Sequence, residues 1–151
     1  MGKTEKVILT NMCMIYDGKG NVVVQDRQNP DWPGIVFPGG HVDYGESFTD
    51  SVIREVREET GLIVSNLQIC GIKDWMRDDG SRYVVILYKT NTFEGELTSS
   101  DEGKVWWASL DELPKMNLPR SMHSMLRVFM EDNVIEQYLY KENGEWLEAL
   151  K

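Results

Sequence analysis

The sequence is poor in cysteine, in positive charge and in long apolar runs. Its two cysteines, Cys13 and Cys70, are too few for a disulfide framework. Both sit in apolar, strand-like runs, which points to buried free thiols in a reduced cytoplasm. No apolar run approaches the ~20 residues of a membrane span. The polar opening, residues 1–6, lacks the apolar core of a signal peptide. Lys and Arg number 16 against 25 Asp and Glu, a net charge of −9. Proteins that bind a duplex usually carry the opposite sign, so nucleic-acid polymers and anionic membranes are discounted as partners. The two histidines, His41 and His123, lack metal-ligand spacing. There is no CxxC pair and no serine-nucleophile motif.

What is present suits one folded domain over residues 1–151. The length matches a typical domain, and the 41% hydrophobic and 27% charged residues match a globular chain. Residues 7–16 and 22–25 read as strands around a turn at 17–21. Residues 28–34, with Pro30 and Pro33, form a loop before a short strand at 35–37. Residues 47–60 read as the clearest helix, with Ser47 as N-cap and Asp50 placed to complete a capping box. Gly61 closes that helix, and Phe48, Val52 and Val56 form its buried stripe. Two long strands follow at 63–75 and 82–93, then a strand at 104–108, a helical turn at 110–113 and a helix at 119–132. Asn143-Gly144 marks a closing hairpin. Trp106 and Trp107, adjacent on a strand, must face opposite sides, one to the core and the other to a cleft or partner.

The helix at 47–60 carries the chemistry. At about 100° per residue, Glu55, Glu58 and Glu59 fall within roughly 100° of one another, with Arg54 beside them. Two unit charges ~4 Å apart repel by about 1 kcal/mol in water and ~4 kcal/mol at an effective dielectric of 20. A hard divalent cation reverses that sign, because Mg²⁺ and Mn²⁺ favour oxygen ligands. A solvated acidic face with Arg54 and Arg57 as partners is the bland alternative. Pro38-Gly39-Gly40 provides a sharp loop from which a backbone carbonyl could join a metal shell. Glu46 enters at the helix start, where a carboxylate suits the positive end of the dipole.

The segment Gly40-His41-Val42-Asp43-Tyr44-Gly45-Glu46, seven residues, then Arg54-Glu55-Val56-Arg57-Glu58-Glu59-Thr60-Gly61-Leu62 resembles the Nudix box at every fixed position. The resemblance implies an α/β Nudix fold, a mixed β-sheet sandwiched between α-helices. It implies hydrolysis of a nucleoside diphosphate linked to a moiety X, with Mg²⁺ or Mn²⁺ as cofactor. Glu55, Glu58 and Glu59 are then metal ligands, joined by Glu46 and the Gly39 carbonyl, while Arg54 orients the glutamates. Nudix enzymes of the MutT type often place a further glutamate in the loop before a late strand. Glu102 fills that place as base or ligand, with Asp101 second. The same likeness assigns Arg27 to phosphate and Asn117 to an oxidised purine, since an amide donates and accepts side by side. Phe37 and Trp32 are candidates to pack on the base.

No proline lies between Pro38 and Pro114, unlike the ADP-ribose type of the family, and the upstream motif of the coenzyme A type is not evident. The pattern leans to a nucleoside triphosphate such as 8-oxo-dGTP, split to monophosphate and pyrophosphate. Dinucleoside polyphosphates, nucleotide sugars and pterin triphosphates are the enzymatic alternatives, and a non-catalytic nucleotide-binding module is a further one. The expected partner is a small nucleotide, with homodimerisation left open.

Overall fold

A computed structural model describes residues 2–151 of the chain. The elements in order are β1 (Val7–Ile15), β2 (Asn21–Arg27), β3 (Gly34–Val36), α1 (Phe48–Thr60), β4 (Ile63–Ser65) and β5 (Gln68–Met76). There follow β6 (Arg82–Thr90), β7 (Thr92–Glu94), β8 (Gly103–Ser109), α2 (Met122–Met130), β9 (Glu136–Glu142) and β10 (Glu145–Leu150). The largest sheet runs β1-β6-β5-β9-β10. It is mixed: β1 pairs parallel with β6 and β5 parallel with β9, while β5–β6 and β9–β10 are antiparallel. A second, antiparallel sheet runs β3-β2-β8, and β4 pairs with β7. Among the described residues no helix is long and apolar enough to cross a membrane.

β1 is apolar on either side of Thr10-Asn11 because both its faces are covered. Met12 and Met14 join the cluster that holds Phe129, Met125 and Met122 of α2, while Cys13 and Ile15 join the cluster that holds Val52 and Val56 of α1. Val22 and Val24 divide from Val23 in the same way along β2. The result is the sheet between helices expected from the sequence.

Local signals explain the ends of α1. Ser47 stands at the cap and its hydroxyl accepts from the Asp50 N–H at 3.0 Å. The reciprocal bond of a capping box, from Ser47 N–H to the Asp50 carboxylate, does not form among the described residues. Gly61 takes the left-handed conformation at φ 76° and donates to the Arg57 carbonyl. Asn143 and Gly144 both take positive φ in the two-residue turn joining β9 and β10.

Several expectations need correction. Phe48 is 46% exposed and lies outside the stripe formed by Val52 and Val56. The strand expected over 63–75 breaks at Asn66, where φ is 51°, because β4 leaves for β7 while β5 joins the large sheet. The strand over 82–93 breaks likewise into β6 and β7. The turn expected at 110–113 is a 3-10 turn at Leu113–Lys115. Trp106 and Trp107 do face opposite ways, yet each packs on one of the two cores. Cys13 is buried and Cys70 partly so, and both are free. Burial pushes the Cys70 thiol up to about 11 and the Cys13 thiol higher, which disfavours the thiolate of each.

Candidate active site

Arg54 organises the acidic turn of α1. Its Nε and Nη2 donate to the two Glu46 carboxylate oxygens at 2.7 and 2.9 Å. Its Nη1 reaches Glu55 at 2.9 Å and Glu58 at 3.2 Å, and Nη2 also meets the His41 carbonyl at 3.1 Å. This fork holds Glu46 down to about 2. Glu46 also accepts from the Asp43 N–H at 3.1 Å, which fixes the loop that enters the helix.

Glu55 and Glu59 lie on the inner side of the same turn. Burial raises the Glu55 carboxyl, against the opposing pull of Arg54. Glu59 is only 6% exposed and makes no ion pair among the described residues. Its Oε2 accepts from the Gly39 N–H at 2.8 Å. Burial pushes Glu59 up to about 8, with the charges of Glu55 and Glu102 adding to the rise and Arg27 opposing it. Glu58 is exposed.

The glycine loop fits closely over this turn. A Cβ on Gly40 would stand 2.3 Å from the Glu55 carboxyl carbon, and one on Gly39 would stand 2.1 Å from the Asn11 carbonyl oxygen. The carbonyls of Pro38 and Gly40 accept from Cys13 and Asn11 of β1, both at 2.8 Å. Gly39 therefore turns its own N–H to the other edge, where Glu59 takes it. Asn11 and Ser51 pin the loop to the helix. The Asn11 amide donates to Ser51 Oγ at 2.9 Å and its oxygen accepts from the Gly40 N–H at 3.1 Å. The sequence reading passed over these two residues. Their one signal is a polar asparagine inside the apolar run of β1.

Arg27 and Glu102 come together from two strand ends. Arg27 pairs in register with Gly103, and the Glu102 carbonyl accepts from the Gln28 N–H at 3.2 Å. Asn117 is exposed; its carbonyl accepts from the Ile35 N–H at 3.1 Å, and its side-chain amide is uncommitted among the described residues. Trp32 is 57% exposed and meets Tyr83 edge-on, with centroids 6.4 Å apart. Phe37 is a correction. It is fully buried, edge-on to Phe129 at 5.1 Å, because the strand it follows points it into the α2 core. It cannot pack on a ligand.

The donor chemistry suits a hard cation: several carboxylates and a nearby backbone carbonyl edge, with the buried Glu59 lacking a positive partner. Among the described residues, however, no three acidic, thiol or imidazole groups yet converge on one point as metal ligands do. Arg54 holds the place between Glu55 and Glu58 instead.

The fold and site define an α/β protein with an oxygen-rich anionic centre on one helix. The NUDIX domain model matches residues 8–129. The Nudix hydrolase YvcI of Bacillus subtilis is 34% identical over 116 residues, covering 74% of this chain and 70% of that protein. The ADP-ribose pyrophosphatase of Methanocaldococcus jannaschii is 28% identical over 125 residues, covering 82% and 68%. The crystal structure of the mutator MutT protein from Bacillus halodurans superposes with a TM-score of 0.79 at 26% identity, covering 95% of this chain and 97% of that one. This chain belongs to the Nudix family. It is MutT-like, and an enzyme that hydrolyses nucleoside diphosphate derivatives.

Proposed function

We propose that the protein cleaves a nucleoside triphosphate to the monophosphate and pyrophosphate, with an oxidised purine such as 8-oxo-dGTP as substrate and Mg²⁺ or Mn²⁺ as cofactor. The observation that carries the chemistry is the buried Glu59, a carboxyl group at the centre of an acidic turn that makes no ion pair among the described residues. Glu55, Glu58 and Glu59 would hold the metal, with Glu46, Glu102 and the Gly39 carbonyl in reach of the same role. When bound, the cation neutralises the diphosphate and makes a water acidic enough to attack phosphorus.

The chain's own residues do the rest. Arg54 spaces Glu46, Glu55 and Glu58 and holds the Glu46 carboxyl down to about 2. The Gly39 N–H fixes Glu59. Glu102, exposed on the loop facing Glu59, accepts the proton of the attacking water. Arg27 binds phosphate beside it. The uncommitted amide of Asn117 reads the base. The likeness to the MutT structure supports the triphosphate reading. The likeness to an ADP-ribose pyrophosphatase favours a second one, an ADP-ribose-like substrate cut by the same centre.

Pyrophosphate release from 8-oxo-dGTP and dGTP, with and without Mg²⁺, tests the proposal, with ADP-ribose hydrolysis measured in parallel. Mg²⁺-dependent release favouring the oxidised base is the expected result. Turnover of ADP-ribose alone transfers the assignment to the second reading. In Glu58→Gln and Glu59→Gln, kcat/KM is expected to fall at least ~100-fold with the fold retained. Full activity in either variant removes that residue from the metal site.

A further inference from the structure

Lys73 lies on β5 opposite Val85 of β6 and Gln137 of β9, on the same face of the strand as Trp75. Its ammonium donates to Ser121 Oγ at 2.6 Å and stands 5.6 Å from the centre of the Trp75 ring. Ser121 precedes α2 but its side chain does not cap that helix; its hydroxyl serves the lysine instead. Trp75 stacks on Tyr83, with centroids 4.5 Å apart and planes 16° apart. Tyr83 meets the edges of Trp32 and His41, each at 6.4 Å. The His41 carbonyl in turn sits on Arg54. A row of rings thus leads from the acidic turn of α1 to an ammonium. Asn117, bonded to Ile35 beside Gly34, borders the loop that carries Trp32.

This ammonium is poorly compensated. It has three donors and no acceptor, and Ser121 takes one of them. Among the described residues it makes no ion pair. Of the charged groups around it, Glu148 on β10 is already held by Gln137 at 2.9 Å and by Ser124 on α2. Arg27, at the end of β2, repels it. Burial and Arg27 hold Lys73 down to about 8, with Glu148 acting the other way. A purely structural position here would be served as well by an apolar side chain.

We infer that Lys73 reads the base of the nucleotide, donating to the 6-oxo oxygen of a guanine-type ring laid along the aromatic row. The site thereby selects 6-oxopurines over 6-aminopurines. An adenine-type ring presents an amino donor where the ammonium also donates, which leaves both unpaired. The inference rests on the nucleoside triphosphate reading above and assigns its base specificity to a residue outside the Nudix box.

The test uses the 2′-deoxynucleoside monophosphates of guanine, hypoxanthine, adenine and 2-aminopurine, titrated without metal against tryptophan fluorescence. The two 6-oxo bases are expected to bind at least about tenfold tighter than the two that lack the oxygen. Lys73→Met brings all four within about threefold, and Lys73→Arg, which keeps donors only, retains the order. With triphosphates and Mg²⁺ the same loss is read in KM more than in kcat. Equal binding of the four bases by the wild-type protein overturns the inference without recourse to any variant. So does an unchanged guanine-to-adenine ratio in a folded Lys73→Met protein. Hydrolysis of triphosphates with that ratio unchanged defeats the role of Lys73 alone, whereas hydrolysis of none defeats the triphosphate reading with it.

Discussion

Gly39 and Gly40 stand side by side, yet a methyl group would meet different things at each. At Gly40 it strikes the carboxyl end of Glu55, and at Gly39 the backbone of β1. Gly40→Ala is expected to lower activity by displacing Glu55, with a small change in melting temperature. Gly39→Ala is expected to lower the melting temperature, since backbone cannot yield as a side chain can. Parallel thermal melts and kinetics decide it, and equal losses of stability in the two would refute the distinction. Lys73 makes a second residue-level case. Its folded pKa of about 8 lies below the ~10.4 of an unfolded lysine. Between those values the unfolded chain binds more protons, so stability rises with pH there. Below 8 the burial cost is present in full. Lys73→Met is therefore expected to melt higher than wild type at pH 7, with the gap closing towards pH 10. Glu46 works in the opposite sense. Its carboxyl, held down to about 2 by Arg54, stabilises the fold above the unfolded value of ~4.3, and that contribution is lost as pH falls through 2. Glu46→Gln should flatten the acid limb of a melting-temperature profile.

At the scale of elements, α1 is both scaffold and site. Its inner stripe of Val52 and Val56 has no exposed surface, and its outer turn carries the carboxylates. Val56→Ala is expected to cost about 2–3 kcal/mol, from two lost methyl groups and the cavity they leave. Ser47→Ala is expected to cost about 1 kcal/mol through the lost cap bond. Phe48→Ala, at a half-exposed position, should cost less than Val56→Ala; urea titrations of the three variants rank them. The cap, the closing glycine and the spacing of the glutamates were all legible in the sequence, because each depends on residues within a turn or two. The break at Asn66 was not. Apolar residues continue across it, and only the pairing of β4 with β7 in another sheet explains why the chain turns there.

For the molecule as a whole, a net charge of −9 and the buried Glu59 carboxyl, which makes no ion pair among the described residues, both favour stabilisation by a divalent metal. A ligand that binds only the folded state adds about 2.7 kcal/mol at a hundred times its Kd. For a chain of this size that is about 5–10 °C in melting temperature. Mg²⁺ or Mn²⁺ is expected to give such a rise, chelation to reverse it and Glu59→Gln to remove most of it. A melting temperature that ignores metal would count against Glu59 as a ligand.

The sequence by itself determined the family, the acidic turn, the caps of α1 and the closing hairpin, because these rest on short-range spacing and on residue type. It also placed the cysteines in apolar surroundings, where both are now seen unpaired. Tertiary structure decided which of the aromatic candidates could face a ligand. Phe37 went into the core on Phe129, while Trp32, Tyr83, Trp75 and Lys73, from a loop and two strands, came into one row. It decided too that Arg27 and Glu102 should come together, through the register of β2 with β8. Phe37 and Phe129, Trp32 and Tyr83, and Arg27 and Glu102 are separated by tens of residues along the chain, and no local pattern encodes a contact that only sheet pairing and the packing of α2 create.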